Sequence, residues 1–100
     1  TDPAVFEDAY EKFFEKSRTY FLNLSENKLS AYLKTDLQIQ QLHPLALTLL
    51  FDGLNATDGN QENLLRKAKF ILNLAMAETA SFAFQDYQYL AMIDNKLKSL

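Results

Sequence analysis

Apolar positions in this chain recur at intervals of three and four, the period of an α-helix. Phe6, Tyr10, Phe13, Ser17, Tyr20, Phe21 and Leu24 fall on one stripe, while Glu11, Lys12, Glu15 and Lys16 fall elsewhere. Asp2-Pro3 precedes them, a capping side chain and then Pro at a first helical position, where its missing N–H costs nothing. The pattern predicts a helix over residues 3–23. Ser25 is placed to cap a second helix, with Leu24 and Leu29 at the positions of a hydrophobic staple. Because no Gly or Pro intervenes, continuation of the first helix to Lys34 is the alternative. Thr35-x-x-Gln38 fits a capping box, and the segment 36–42 is short and ambiguous.

His43-Pro44 is a punctuation mark: the residue before Pro is pushed out of helical geometry, and Pro44 then suits a helix's first turn. Leu42, Leu45, Ala46, Leu49, Leu50, Gly53 and Leu54 follow the i, i+3, i+4, i+7, i+8 template. They predict a helix over 44–56, apolar enough to be central in a bundle. Thr57-Asp58-Gly59-Asn60 reads as a turn, with Gly59 suited to positive φ.

From Gln61 to Leu100 there is neither Gly nor Pro. One helix of that length would measure about 57 Å, against a radius of gyration of about 13 Å for a compact domain of this size. A break at Thr79-Ala80-Ser81, with Ser81 as the new cap, resolves the conflict. The unbroken alternative pairs with a second copy through Leu65, Ala68, Leu72, Ala75, Thr79, Phe82, Asp86, Tyr89 and Ile93, a near-heptad seam. The small residues Ala75, Ala77, Ala80, Ser81 and Ala83 predict a face against a neighbouring helix. An alternating strand over Phe82–Tyr89 is rejected, since a lone strand is unstable. The expected fold is all-α: a single-domain antiparallel bundle of four to five helices at about 3–23, 26–34, 44–56, 61–79 and 82–98, with the last two as one long helix in the alternative.

A hydrophobic content of 48% with eight Phe and five Tyr supplies a core, so the chain is expected to fold. The lack of cysteine removes disulfides, thiolate metal sites and cysteine nucleophiles, and fits a reducing compartment. Without a visible signal peptide or an apolar run long enough to cross a membrane, the expectation is a cytoplasmic protein with no membrane span. A net charge of −3 argues against nucleic acid as a partner. The one basic cluster, Arg66, Lys67 and Lys69, reads as a solvated helix face. Asn23-Leu24-Ser25 and Asn55-Ala56-Thr57 match the glycosylation acceptor pattern, which arises easily by chance.

Candidate chemistry is sparse. His43 is the only histidine, and no nucleophile elbow or metal-ligand spacing accompanies it, so it is read as a cap of the Pro44 helix. The acidic turn Asp52, Asp58, Asn60, Glu62 fails as a calcium loop: Gly59 in the sixth position puts Leu54 first, and Gly53 there puts Thr48 first. Glu7/Glu11 and Glu11/Glu15 pair carboxylates one turn apart, but no Glu-x-x-His motif makes a di-metal bundle of them. Glu78 and Asp86 fall close to apolar seams. A buried carboxylate is costly unless paired, so one of them is expected to meet Lys, Arg or a Tyr hydroxyl, the alternative being that both sit in water. No cofactor is expected.

Tyrosine prefers a wet edge and is enriched at recognition surfaces. Phe84, Tyr87 and Tyr89 therefore form the candidate partner-binding patch. The order of Pro44-Leu45-Ala46-Leu47, Phe51-Asp52-Gly53, Glu62-Asn63-Leu64 and Lys67-Ala68 loosely resembles that of flagellin-export chaperones. The first spacing is off by one, the intervening segment is too short and the N-terminal helix has no counterpart, so no residue role is carried over. The expected function is non-catalytic protein–protein interaction of the inhibitor, immunity, regulatory or chaperone type, with a homodimer through residues 61–100 as a further expectation. Two rivals are a carrier of a small apolar ligand between aromatic-lined helices, which requires a cavity, and an enzyme, which requires His43 and an acid to converge in a cleft.

Overall fold

A computed structural model describes residues 3–57, 59–79 and 83–100, with side chains from Val5 onward. Among these residues the chain forms six helices and no strand: α1 (Pro3–Phe14), α2 (Arg18–Asn23), α3 (Glu26–Thr35), α4 (Ile39–Asn55), α5 (Gln61–Thr79) and α6 (Phe84–Lys98). The all-α bundle expected from periodicity is the fold observed.

The predicted helix 3–23 is two helices. Glu15 takes the left-handed conformation at φ 59°, and Ser17 then turns extended and caps α2 by accepting from the Tyr20 amide at 3.1 Å. The aromatic core gives the physical reason. In one straight helix Tyr10 and Phe21 would lie about 16 Å apart along the axis, whereas here their ring centroids are 5.3 Å apart. The break also changes the stripe: Phe14 is buried and Phe13 is 60% exposed, the reverse of the expectation for Phe13. The expected cap Asp2 lies outside the described residues. Ser25 does cap α3, accepting from the Lys28 amide at 3.3 Å, so the first helix does not run on to Lys34.

The punctuation at His43-Pro44 is overridden. α4 begins at Ile39, and Pro44 is its sixth residue. Pro at that place removes only the hydrogen bond owed to the Gln40 carbonyl, and both residues are exposed, so water can serve that group. The upstream end is held by Gln41, whose side-chain oxygen accepts from the Gln38 amide at 3.0 Å, half of a capping box shifted from the expected Thr35 start.

Helices α4 and α5 form the antiparallel centre. Leu45, Leu49 and Leu50 from one, and Leu64, Leu65, Ala68 and Ile71 from the other, are fully enclosed. Close approach is set by Gly53: a Cβ there would stand 2.9 Å from Cγ and Cδ2 of Leu65. The connecting turn uses Gly59 at φ 85°, as its sequence requires; Asp58 lies outside the described residues.

Helix α5 ends at Thr79 and α6 begins at Phe84, so the 61–100 segment is not one helix. The expected cap Ser81, with Ala80 and Phe82, lies outside the described residues. Leu65, Ala68, Leu72 and Ala75, offered as a seam for a second copy, are buried in the chain's own core. Of the small-residue run, Ala75 is buried while Ala77 and Ala83 face solvent. A longest dimension of 34 Å leaves no room for a 57 Å rod. Helix α6 packs beside α4 and α5 through Ile93, an ion pair of Lys69 with Asp94 at 2.8 Å, the edge of Tyr89 against Phe51 and a contact of Asp86 with His43 at 2.7 Å.

Candidate functional site

Two buried carboxylates organise the polar interior. Asp52 sits on the apolar face of α4, one turn past Leu49, and is 2% exposed. Its Oδ2 accepts from the Tyr10 hydroxyl at 2.7 Å and from Arg18 Nε at 2.8 Å. The reversal at Glu15–Ser17 is what brings Tyr10 of α1 and Arg18 of α2 to the same oxygen. Burial pushes the Tyr10 phenol far above its ordinary 10, and the Asp52 charge and hydrogen bond push the same way, against a smaller pull from Arg18. This arrangement holds a charge rather than delivering a proton. Sequence reasoning placed Asp52 in an acidic turn; the missed signal was its register, since residue 52 continues the stripe of Leu45 and Leu49.

The second carboxylate is Asp86 in the first turn of α6, 5% exposed. His43 Nε2 lies 2.7 Å from its Oδ1, and since an ionised carboxylate only accepts, the ring N–H is the donor. His43 is therefore interior to α4 and not its cap. Of the two acids expected near apolar seams, Asp86 is buried and paired with a histidine instead of Lys, Arg or Tyr, and Glu78 is exposed.

His43 and Asp86 meet beside an open depression of about 400 Å³, lined also by Ala75, Met76, Thr79, Ala83 and Gln85. This is the convergence that an enzyme would require. The hydroxyl among these lining residues, that of Thr79, donates to the Ala75 carbonyl at 2.7 Å, so its proton is directed away from the imidazole. No group of three or more His, Cys, Asp or Glu able to hold a metal ion occurs among the described residues, and no helix there is long and apolar enough to cross a membrane.

The three candidate partner residues separate. Phe84 is 77% and Tyr87 50% exposed, whereas Tyr89 is half-buried, packs edge-on against Phe51 at 6.1 Å and accepts from Gln85 Nε2 at 3.0 Å. At 100° per residue Tyr89 lies on the inward side of α6. Phe84 and Tyr87 lie outward with Gln88, Ala91 and Asn95, all exposed. For about three turns that outer strip carries no charge.

Further depressions lie elsewhere on the bundle. Between α2 and α3 an open one of about 700 Å³ is lined by Tyr20, Leu24 and Tyr32 but also by Ser17, Asn23, Lys28 and Asp36. Burial, with smaller contributions from Tyr20, Asp36 and Glu15, raises the Tyr32 phenol to about 12. The basic cluster also divides: Lys69 pairs with Asp94, Arg66 with Glu62 along α5, and Lys67 turns into a depression between α3 and α5.

These features define a small all-α bundle with a buried polar network and an outer strip on α6 that holds no charged residue from Phe84 to Asn95 and meets Lys98 beyond it. No family model matches the chain, and neither a curated protein nor a solved structure shows significant similarity to it.

Proposed function

We propose that this bundle acts without catalysis, by binding another protein through the outer face of α6. The observation that carries the reading is the exposure of Phe84 and Tyr87 on a strip that also holds Gln88, Ala91 and Asn95 and meets its first charge at Lys98. Interface cores are depleted of charge and enriched in aromatics, and Phe84, Tyr87 and Ala91 stand at the i, i+3, i+7 spacing by which a helix enters an apolar groove. An inhibitor, immunity, regulatory or chaperone role fits such a surface. Tyr89 supports the strip from beneath and is not an anchor.

The apolar-carrier reading has less support, because the wide groove between α2 and α3 opens to solvent and is rimmed by polar groups, and the smaller aliphatic depression of about 200 Å³ lined by Leu33, Leu37, Ile39, Leu42 and Leu74 also carries Lys34 and Glu78. The enzyme reading has the His43–Asp86 pair in its favour, but an acyl-transfer site needs a nucleophile whose proton the imidazole can take, and among the described lining residues the one hydroxyl, that of Thr79, does not present one. We read the pair as a latch between α4 and α6.

The test uses a photo-crosslinking side chain at Gln88 and a purified partner identified from the crosslink. Phe84→Asp and Tyr87→Asp are each expected to weaken that partner's Kd at least tenfold while leaving the unfolding midpoint nearly unchanged. Undiminished binding by both variants would remove α6 as the contact face.

A further inference from the structure

Lys67 points into a concave depression of about 290 Å³ between α3 and α5, with Leu29 and Phe70 as its apolar wall and Glu26, Asn63 and Arg66 at its rim. Its ammonium donates to the Asn63 side-chain oxygen, and that amide in turn donates to the Leu22 carbonyl at 3.0 Å, so the lysine is held in place by a fixed neighbour. Among the described residues no carboxylate lies within ion-pair distance of Lys67. A half-buried cation whose partner is a neutral amide lacks a counter-charge, and burial lowers the Lys67 pKa with no opposing acid to restore it.

We propose that this depression binds a small organic monocarboxylate, the carboxylate on Lys67 and Arg66 and the apolar body against Phe70 and Leu29. Charge sets the class. Arg66 is balanced by Glu62, so Lys67 is the one cation among the described lining residues without a carboxylate partner, which suits one negative charge, and Glu26 at the rim disfavours a phosphate dianion. Arg66 already holds a carboxylate, its Nε at 2.9 Å and an Nη at 2.8 Å both directed at the single Oε1 of Glu62. That pair is exposed on both sides, and exposed ion pairs exchange partners at little cost, so a ligand carboxylate can replace Glu62. The fork of Arg66 then supplies direction and Lys67 a point charge. The volume of about 290 Å³ suits a ligand of benzoate or phenylacetate size.

The site is independent of the α6 face, so failure of either reading leaves the other intact. The probes are phenylacetate, its neutral amide and inorganic phosphate, titrated into the full chain and followed by amide chemical shifts and by the Lys67 Nζ resonance. Phenylacetate is expected to give saturable shifts at Asn63, Lys67 and Phe70 in the millimolar range or below, and to move the Lys67 titration upward. Phenylacetamide is expected to bind at least tenfold more weakly. Lys67→Met keeps the stem and removes the charge, so it is expected to fold with unchanged or higher stability and to lose phenylacetate binding at least tenfold. Equal binding of the amide, binding of phosphate as tight as phenylacetate, or undiminished binding by Lys67→Met would each overturn the proposal. Absence of saturable shifts with phenylacetate would overturn it as well.

Discussion

Asp52 meets two donors on a single oxygen inside an apolar helix face, and its removal exposes what each donor depends on. Asp52→Ala leaves the Tyr10 hydroxyl unpaired and takes from Arg18 its buried carboxylate, so a loss of about 3–5 kcal/mol is expected. Tyr10→Phe removes one hydrogen bond and is expected to cost about 1 kcal/mol. Urea unfolding of both variants checks the order; equal costs would mean that Arg18 contributes nothing. Tyrosine protonation adds a pH test. Both Tyr10 and Tyr32 are raised above the ordinary 10, so the folded chain keeps protons that the unfolded chain releases. Their stabilisation is full below about pH 10 and is lost as pH rises through the folded-state value, about 12 for Tyr32. Unfolding free energy measured against pH is expected to fall above about pH 10, with a shallower fall in Tyr10→Phe. An identical slope in the two proteins would remove Tyr10 from the alkaline transition.

At the scale of elements, the joints carry the information. Glu15 holds φ 59° where glycine is the comfortable residue, and its side chain is exposed. Glu15→Gly is expected to stabilise by about 0.5–1 kcal/mol, while Ser17→Ala is expected to cost about 1 kcal/mol by removing the α2 cap. Thermal unfolding of the two should therefore move in opposite directions. Gly53→Ala sets two effects against each other. Alanine's helix propensity favours the change by about 1 kcal/mol, but a Cβ at 2.9 Å from enclosed Leu65 forces repacking between α4 and α5. Overpacking costs about 1–3 kcal/mol, so net destabilisation is expected. A stabilised variant would show that the α4–α5 contact is loose. These joints also mark where periodicity misleads. The spacing that places Phe6, Tyr10, Phe13 and Ser17 on one stripe is as good as that of any real helix, and neither Gly nor Pro lies near Glu15, so the capping residue Ser17 reads as one more member of the stripe.

For the whole molecule, solution mass separates the binding readings. The seam that a long helix would have used is enclosed within the chain itself. Light scattering across a concentration series is expected to give a monomer of 11.5 kDa. A dimer that persists on dilution would mean that a surface other than α6 alone joins the copies, and a dimer broken by Tyr87→Asp would make the second copy the partner of that face.

The helical class, the central position of residues 45–53, the Gly59 turn and the Ser25 cap were all legible in the sequence, because each depends on residues within a turn or two of one another. Tertiary structure decided the rest. Helix α4 runs through Pro44 because burying Leu42 with Leu45 and Ala46 outweighs one missing hydrogen bond at an exposed carbonyl. The break at Glu15 exists because Tyr10 and Phe21 must stack on one core, and it also delivers Arg18 to Asp52. His43 finds Asp86 across 43 residues, and Tyr10 finds Asp52 across 42, separations over which no local pattern reports. Local chemistry sets where a helix can form and how it is capped. Which buried charge meets which donor is set by the way the helices pack.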